Sequence, residues 1–241
     1  MITLSNISFL YQNSTEVVLR NVSLEIPDGS CVAIVGNSGC GKSTLLNLIA
    51  GVLKPTRGRI SVGTKDISYL MQEATLLPYI TAFENTLLAY RLRNNRIDDE
   101  TIVKARNMLR EFRMESDAFK KFPHELSGGM RQKVGLVQTL LTDSKLLLLD
   151  EPFNAIDEDA QEIIEKHLWD DMKENKRTMV FITHDLESAL HLSDKIVVMG
   201  NHHHHAVHEI NLDDHYVSLT PSERENTGEY TDYFFEMKSF I

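Results

Sequence analysis

Cysteine is scarce in this sequence: Cys31 and Cys40 are the only two in 241 residues. Two cysteines in a chain of this length do not form the disulfide framework on which small secreted domains depend. No apolar run approaches the roughly 20 residues that a helix needs to cross a bilayer. The N-terminal stretch also lacks the basic and apolar regions of a secretory signal. We therefore expect a reduced, cytoplasmic compartment.

Positive charge is also in deficit, with 25 Lys and Arg against 35 Asp and Glu and a formal net charge of −10. A general nucleic-acid binder usually presents a basic patch, so no nucleic-acid partner is expected. A local basic site, such as one for phosphate, is compatible with this balance. The sequence has no internal repeat and no obvious linker, and the whole chain, residues 1–241, is predicted to form a single domain.

The order of apolar runs and helical patterns predicts an α/β fold. Four apolar runs are typical of buried parallel strands: residues 31–36, 145–150, 178–184 and 194–200. Helical patterns lie between them, at about 128–141, 158–174 and 185–191. This alternation indicates a parallel sheet covered on both faces. The first thirty residues instead alternate apolar and polar positions, as half-exposed antiparallel strands do. Residues from about 84 to 125 are charged, lack strand signals, and are predicted to be an inserted helical subdomain.

The stretch "GNSGCGKS", residues 36–43, matches the pattern G-x-x-x-x-G-K-[ST] between a predicted strand and a predicted helix. Glycines allow successive backbone N–H groups to point into one concavity, and the helix N-terminus adds partial positive charge. We expect a nucleoside triphosphate with Mg²⁺ here, with Lys42 on the β- and γ-phosphates and Ser43 on the metal. The alternative is an ordinary glycine-rich turn. The expected contact residues are Gly36, Asn37, Ser38, Gly39, Cys40, Gly41, Lys42, Ser43 and Thr44.

Three side chains at strand ends have the chemistry that a phosphate site needs. Asp150 and Glu151 end the strand "KLLLLD", and His184 ends the strand "TMVFITH". At the carboxyl end of parallel strands they would lie beside the phosphate loop. Asp150 is expected to hold Mg²⁺, Glu151 to orient water or accept its proton, and His184 to contact a γ-phosphate. The alternatives are acidic residues that solvate a turn and a structural histidine.

The motif "LSGGMRQ", residues 126–132, precedes an apolar helical stretch. Ser127, Gly128 and Gly129 would provide a hydroxyl and bare amides at a helix start, which is a second anion site. One nucleotide already has its phosphate loop, so a second γ-phosphate site is useful if it serves the nucleotide of another copy. The motif therefore predicts a head-to-tail dimer with two ATP molecules between the subunits. A plain turn is the alternative.

Together these motifs resemble the ATP-binding subunits of ABC transporters, and the likeness covers residues 1 to about 200. The stretches "MQEATLLPYITAFENT" and "DEPFNAID" are most similar to importers of the nitrate, sulfonate and taurine type. The resemblance implies a P-loop NTPase with a RecA-like parallel sheet core, an N-terminal antiparallel β lobe and a helical signature subdomain at about 84–140. Residues 206–241 would be a short C-terminal tail.

The resemblance also implies an activity and partners. ATP would close the dimer, hydrolysis would open it, and transmembrane permease subunits would respond. The subunit would lie peripherally on the cytoplasmic face of the membrane, and a solute-binding protein would be an indirect partner. Two alternatives stay open: a soluble ABC-type ATPase that acts on a macromolecule, and an exporter subunit. The sequence does not identify the solute.

Several site residues follow from the resemblance alone. Tyr11 would place its ring against adenine, and Gln72 would reach Mg²⁺ and the water when the dimer closes. Residues 154–157 match the D-loop that crosses the dimer interface. The surface at 73–85, together with the helical subdomain, would receive the permease, with about half of the apolar residues of 73–85 in the core and with Leu77 and Tyr79 as our candidates for exposure.

Two further expectations concern single residue types. Cys40 lies among backbone amides and next to Lys42, which would favour a thiolate. The run His202–His205 lies where the family has a surface turn between two strands. A metal site is the alternative, because histidine is a common ligand, but adjacent residues point in different directions.

Overall fold

Two β-sheets form the framework of the computed structural model, which describes residues 1–12, 14–93, 96–200 and 207–241. The strands are β1 Ile2–Leu10, β2 Val17–Ile26, β3 Cys31–Gly36, β4 Arg57–Val62, β5 Ile67–Leu70, β6 Leu146–Asp150, β7 Thr178–Ile182, β8 Lys195–Met199 and β9 Val207–Asn211. The helices are α1 Lys42–Ile49, α2 Ala82–Leu92, α3 Asp99–Glu111, α4 Gly128–Leu140, α5 Glu158–Asn175, α6 Leu186–Leu192, α7 Asp214–Ser218, α8 Pro221–Arg224 and α9 Gly228–Phe240.

The larger sheet has the strand order β5-β6-β7-β3-β8-β9. Its strands run parallel except β9, which pairs antiparallel with β8. Every residue of β3, β6 and β7 is buried, as expected of central strands covered on both faces. The four predicted parallel strands are confirmed. The pattern missed β5, a four-residue strand at the sheet edge, because so short a run gives little apolar signal.

The smaller sheet has the order β2-β1-β4 and is antiparallel, which confirms the predicted N-terminal lobe. Alternate residues of β1, including Ile2 and Leu4, are buried. They join a hydrophobic cluster with Val32 and Ile34 of β3 and Leu45 of α1. The lobe therefore packs on the strand and helix that flank the phosphate loop.

The charged region between β5 and β6 is helical, as predicted. It contains α2, α3, two 3-10 turns at Ser116–Lys120 and Pro123–Glu125, and then α4. Thr81 and Glu84 form a reciprocal cap at the start of α2, and Asp98 caps α3, which satisfies backbone N–H groups that a helix start leaves free. Phe112, which follows the last residue of α3, is fully buried within this region. Its boundaries as a subdomain, and the single-domain description of residues 1–241, stay predictions.

The segment after β9 packs on the main core. Met237 of α9 is fully buried in the larger hydrophobic cluster. Arg224 is also fully buried, and its Nη1 donates to the carbonyl oxygens of Leu190 at 2.8 Å and Ser193 at 3.0 Å. These carbonyls belong to the end of α6, so the guanidinium completes a helix C-terminus. The predicted short tail is thus an integral part of the fold.

The predicted alternatives for His202–His205 lie outside the described residues. Within the described ranges, no helix combines the length and the apolar character that a membrane crossing requires.

Candidate functional site

The loop between β3 and α1 has a backbone that requires glycine. Gly36, Gly39 and Gly41 have φ of 149°, 81° and 103°, a region that L side chains rarely adopt. A Cβ on Gly36 would also collide with the carbonyl oxygen of Met199. Gly41 precedes α1 without a side-chain cap, so the first N–H groups of α1 remain available to an anion.

A cavity of about 420 Å³ lies over this loop, within the size range of small-molecule sites. It brings together residues that are far apart in the sequence, and most of them are among the predicted site residues. The lining consists of Tyr11, Glu16, Val18, Ser38, Gly39, Gly41, Lys42, Ser43, Thr44, Gln72 and Glu151. Glu16 and Val18 were not predicted, because neither belongs to a motif. The Tyr11 hydroxyl lies 3.0 Å from the Thr44 hydroxyl, which orients the ring at the cavity wall.

Lys42 is the buried cation of the site. Its Nζ donates to the carbonyl oxygens of Gly36 at 2.7 Å and Asn37 at 3.0 Å. Both partners are neutral, although a buried ammonium is stabilised best by an anion. The loop therefore positions a cation that phosphate oxygens can neutralise.

Asp150 and Ser43 form an oxygen-rich pair at the end of β6. Burial raises the pKa of Asp150, the hydrogen bond from Ser43 opposes this rise, and the neighbouring Glu151 charge adds to it. Oδ1 of Asp150 is buried without a hydrogen-bond partner, which costs free energy unless a ligand satisfies it. A carboxylate and a hydroxyl are hard oxygen donors that suit Mg²⁺. The residues present therefore fit this metal.

Glu151 follows β6 with a left-handed backbone, at φ of 50°. Non-glycine residues adopt this conformation at a cost, often at functional sites. Its N–H donates to the carbonyl oxygen of Ile182 at 3.0 Å, which ties this turn to the end of β7. With this backbone, Glu151 forms part of the cavity lining.

Two side chains hold Glu151 from other elements. Nδ1 of His184 lies 2.7 Å from Oε2 of Glu151, and the His184 side chain is 72% exposed. Nε2 of the buried Gln132 donates to the Glu151 carbonyl oxygen at 3.1 Å. His184 lies beside Glu151, as its strand end predicts, but it does not line the cavity. Gln132 belongs to the signature motif, but its sequence context predicts no role for it. Its hydrogen bond to the Glu151 carbonyl oxygen identifies one.

The signature residues do not face the cavity of their own chain. Ser127 accepts a hydrogen bond from the Met130 N–H at 3.2 Å and so caps α4. A Cβ on Gly129 would collide with the Ala155 carbonyl oxygen, and one on Gly128 would contact the Ala155 side chain. The motif thus packs on the predicted D-loop, away from the residues that line the cavity.

The expectation of a Cys40 thiolate is wrong. The side chain is buried and does not line the cavity. Burial raises the pKa of the Cys40 thiol, and the opposing effects of Lys42 and of backbone N–H groups are smaller. The Asn37 side chain also points elsewhere, since its Nδ2 donates to the carbonyl oxygen of Ile241 at 2.8 Å. Neither the Cys40 side chain nor the Asn37 side chain therefore lines the cavity.

The segment at 73–85 is partly exposed, as predicted. Tyr79 is 71% exposed, whereas Leu77 is only half-buried. Leu76 and Phe83 pack against the main core. The buried Asn85 fixes the segment, because it accepts from the Leu77 N–H at 2.8 Å and donates to the Leu77 carbonyl oxygen at 3.2 Å. The surface is therefore a held loop with one prominent aromatic side chain.

Comparisons with known proteins agree with this geometry. The family model described as ABC transporter matches residues 19–154. The bicarbonate transport ATP-binding protein CmpD of Synechocystis is 35% identical over 219 residues, which cover 87% of this chain and 77% of that protein. The aliphatic sulfonates import ATP-binding protein SsuB of Bacillus cereus is 36% identical over 200 residues, covering 80% and 77%.

A solved structure is similar over nearly the whole fold. It is a dimeric ATP-binding cassette in a post-hydrolysis state bound to ADP and Pi. The TM-score is 0.78 at 29% sequence identity, and the match covers 88% of this chain and 99% of that one.

Proposed function

This chain belongs to the ABC transporter family, and from that membership we propose that it is the ATP-hydrolysing subunit of an importer for a small solute. The predicted resemblance to the family and to its importer type is confirmed. The relatives named above act in bicarbonate transport and in aliphatic sulfonate import. These roles support an importer over the two alternatives, an exporter and a soluble ATPase that acts on a macromolecule. We assign solute recognition to the permease and to a solute-binding protein.

One observation carries the proposal: Lys42, Ser43, Gln72 and Glu151 converge on one cavity. The Nζ of Lys42 would exchange the two loop carbonyl oxygens for β- and γ-phosphate oxygens. The N–H groups at the start of α1 would bind the same phosphates. Tyr11 would lie against adenine at the other end of the cavity.

Hydrolysis would depend on Glu151. Its carboxylate would orient a water molecule and accept its proton as the water oxygen bonds to the γ-phosphorus and ADP departs. His184 would hold this carboxylate and approach the γ-phosphate. Ser43 and Asp150, together with Gln72, would hold Mg²⁺, which when bound neutralises charge on the phosphate oxygens.

The proposed working unit is a dimer of this chain. Ser127, Gly128 and Gly129 lie outside the cavity of their own chain, so in the proposed arrangement they cap the nucleotide of a second copy. The dimeric cassette at 29% identity supports this arrangement. The segment at 73–85 would bind a permease, which would place the dimer on the cytoplasmic face of the membrane.

Purification from membranes tests the proposed function. The tagged chain should retain a membrane permease, and the double variant Leu77→Asp/Tyr79→Asp should lose it while the isolated subunit keeps its ATPase activity. The activity should persist because Gln72 and the phosphate loop are unchanged. A matched control is Phe235→Asp, another exposed apolar position, which lies on α9 outside the helical subdomain.

Retention of ribosomes or DNA instead of a permease would refute the importer. If the folded double variant still retained the permease, the docking surface would lie elsewhere. A double variant that failed to fold would show that Leu77 belongs to the core.

A further inference from the structure

The end of α9 contacts the phosphate loop at a residue that does not line the nucleotide cavity. Nδ2 of Asn37 donates to the carbonyl oxygen of Ile241 at 2.8 Å. Neither residue is among those that surround the cavity. The contact therefore connects the loop to the C-terminal helix, 204 positions further along the sequence.

Two hydrogen bonds inside the loop share one acceptor, the backbone carbonyl oxygen of Asn37. Its backbone carbonyl oxygen accepts from Nζ of Lys42 at 3.0 Å. The same oxygen accepts from the Cys40 N–H at 3.3 Å. Asn37 therefore contacts both Ile241 and Lys42, whose amine is proposed to bind phosphate. A displacement of Asn37 would move the acceptor of both bonds.

The end of α9 is itself held in place by the larger sheet. The Phe240 ring stacks on His208 of β9, with ring centroids 4.1 Å apart and an interplanar angle of 17°. β9 pairs with β8, whose Met199 pairs with Gly36 at the start of the loop. Met237, one turn before Phe240, is fully buried. The anchor on Asn37 is therefore fixed to the same strands that carry the phosphate loop.

We infer that the last turn of α9 is a positioning element for the phosphate loop, which acts through the Ile241 carbonyl oxygen and Asn37 on Lys42. It holds the loop in the shape that receives the phosphates of ATP, so that its loss weakens nucleotide binding more than it slows turnover. The inference rests on the proposed binding of ATP at this loop. The competing account is that the Asn37 side chain contacts the nucleotide directly and that α9 plays no part.

The first test removes the stack that holds the end of α9. Phe240→Ala should raise KM for ATP about threefold, the size expected when one hydrogen bond is lost, while kcat stays near the wild-type value. The matched control is Phe235→Ala on the same helix, because Phe235 is 65% exposed and should leave KM unchanged.

A second measurement monitors the conformation of the phosphate loop in the absence of nucleotide, through the labelling rate of Cys40. Cys40 is buried in the intact loop, and Cys31, inside β3, is buried as well. Phe240→Ala should speed the labelling of Cys40 by a small thiol reagent, because the Cys40 N–H loses a fixed acceptor. Phe235→Ala should label at the wild-type rate. A general loss of structure would instead expose Cys31 in parallel, which would overturn the inference.

A double-mutant cycle separates the two accounts. If Asn37 acts through α9, the combination of Asn37→Ala with Phe240→Ala should raise KM no further than either change alone. If the two increases in KM multiply, Asn37 acts on the nucleotide independently and the inference is wrong.

Should Phe240→Ala fail to fold, His208→Ala removes the same stack from the strand side. A wild-type KM and wild-type Cys40 labelling in the folded stack variant would overturn the inference, whereas a wild-type chain that does not bind ATP would refute the proposed function itself.

Discussion

The phosphate loop and the signature motif both place glycines and a hydroxyl at the start of a helix, but the cavity of about 420 Å³ is lined by residues of the loop and not by those of the signature. At the phosphate loop, Lys42 has neutral partners and Asp150 has a buried oxygen without any. At the signature, Ser127 is used as a helix cap and Gly129 packs on Ala155. The groups at the loop therefore fit an anion and Mg²⁺, whereas the signature residues pack on neighbouring backbone and do not line this cavity. In the proposed dimer, the phosphate loop of one chain and the signature of the other are the two halves of one site, and these halves do not meet within a single chain.

The two halves are nevertheless fastened to each other through α4. Gln132, five residues after Ser127, donates to the Glu151 carbonyl oxygen at 3.1 Å. Nζ of the buried Lys133 lies 3.0 Å from Oδ2 of Asp157. These two contacts connect residues 151 and 157 to the first turns of α4. A displacement of the signature would therefore act on the backbone of Glu151, the proposed catalytic residue.

The largest expected effect comes from the loop half alone. Glu151→Gln should lower kcat by on the order of 10²- to 10⁴-fold, the typical contribution of a general base, because an amide cannot take the proton. ATP should still bind, since Lys42 and the first turn of α1 are unchanged. Steady-state hydrolysis and equilibrium nucleotide binding check the two statements separately. Hydrolysis at the wild-type rate would remove Glu151 from the proposed role.

A second effect isolates the signature half. Ser127→Arg should leave nucleotide binding by the monomer largely intact, because Ser127 does not line the cavity. It should prevent ATP-dependent dimerisation, since a large side chain at this position would collide with the partner's γ-phosphate. Light scattering with and without ATP, in the Glu151→Gln background to prevent turnover, makes the measurement. Dimerisation equal to that of the Glu151→Gln chain would contradict the composite site.

The smallest expected effect concerns the connection between the halves. Gln132→Leu should lower kcat several-fold and leave KM for ATP near the wild-type value, because the Glu151 carbonyl oxygen loses one of its two donors and keeps only the Asn154 N–H. Gln138→Leu, on the same helix and away from the nucleotide cavity, is the control. An unchanged kcat in a folded Gln132→Leu chain would show that Glu151 is held sufficiently by its backbone and by His184.

Motifs of fixed spacing predicted most of the site because their chemistry is local. The G-x-x-x-x-G-K-S pattern specified the loop, and the apolar strands ending at Asp150 and His184 specified which side chains share a sheet edge. Long-range contacts could not be predicted from the sequence. Nothing in the residues around Gln132 indicates a bond to the Glu151 backbone, and nothing at Ile241 indicates a contact with Asn37. Cys40 shows the converse error, because a sequence shows its charged neighbour but not its burial.

The difference between local patterns and long-range contacts also explains which parts of the fold could be predicted. Buried strands were predictable from apolar runs, because both faces of the central strands are covered. The C-terminal segment looked like a tail because its sequence is polar, yet Met237 and Arg224 are both fully buried. An arginine that bonds backbone carbonyls within the core carries no pattern that distinguishes it from a surface arginine.

Complementation between two defective chains tests the composite site most directly. Lys42→Ala breaks the loop half and Ser127→Arg breaks the signature half, so neither chain should form an ATP-dependent dimer by itself. In a mixture, the loop of the Ser127→Arg chain and the signature of the Lys42→Ala chain should complete one of the two sites. Fluorescence energy transfer between differently labelled variants should therefore rise on addition of ATP in the mixture only. If the mixture associates no more than each variant alone, the two halves do not meet across a dimer and the account is wrong.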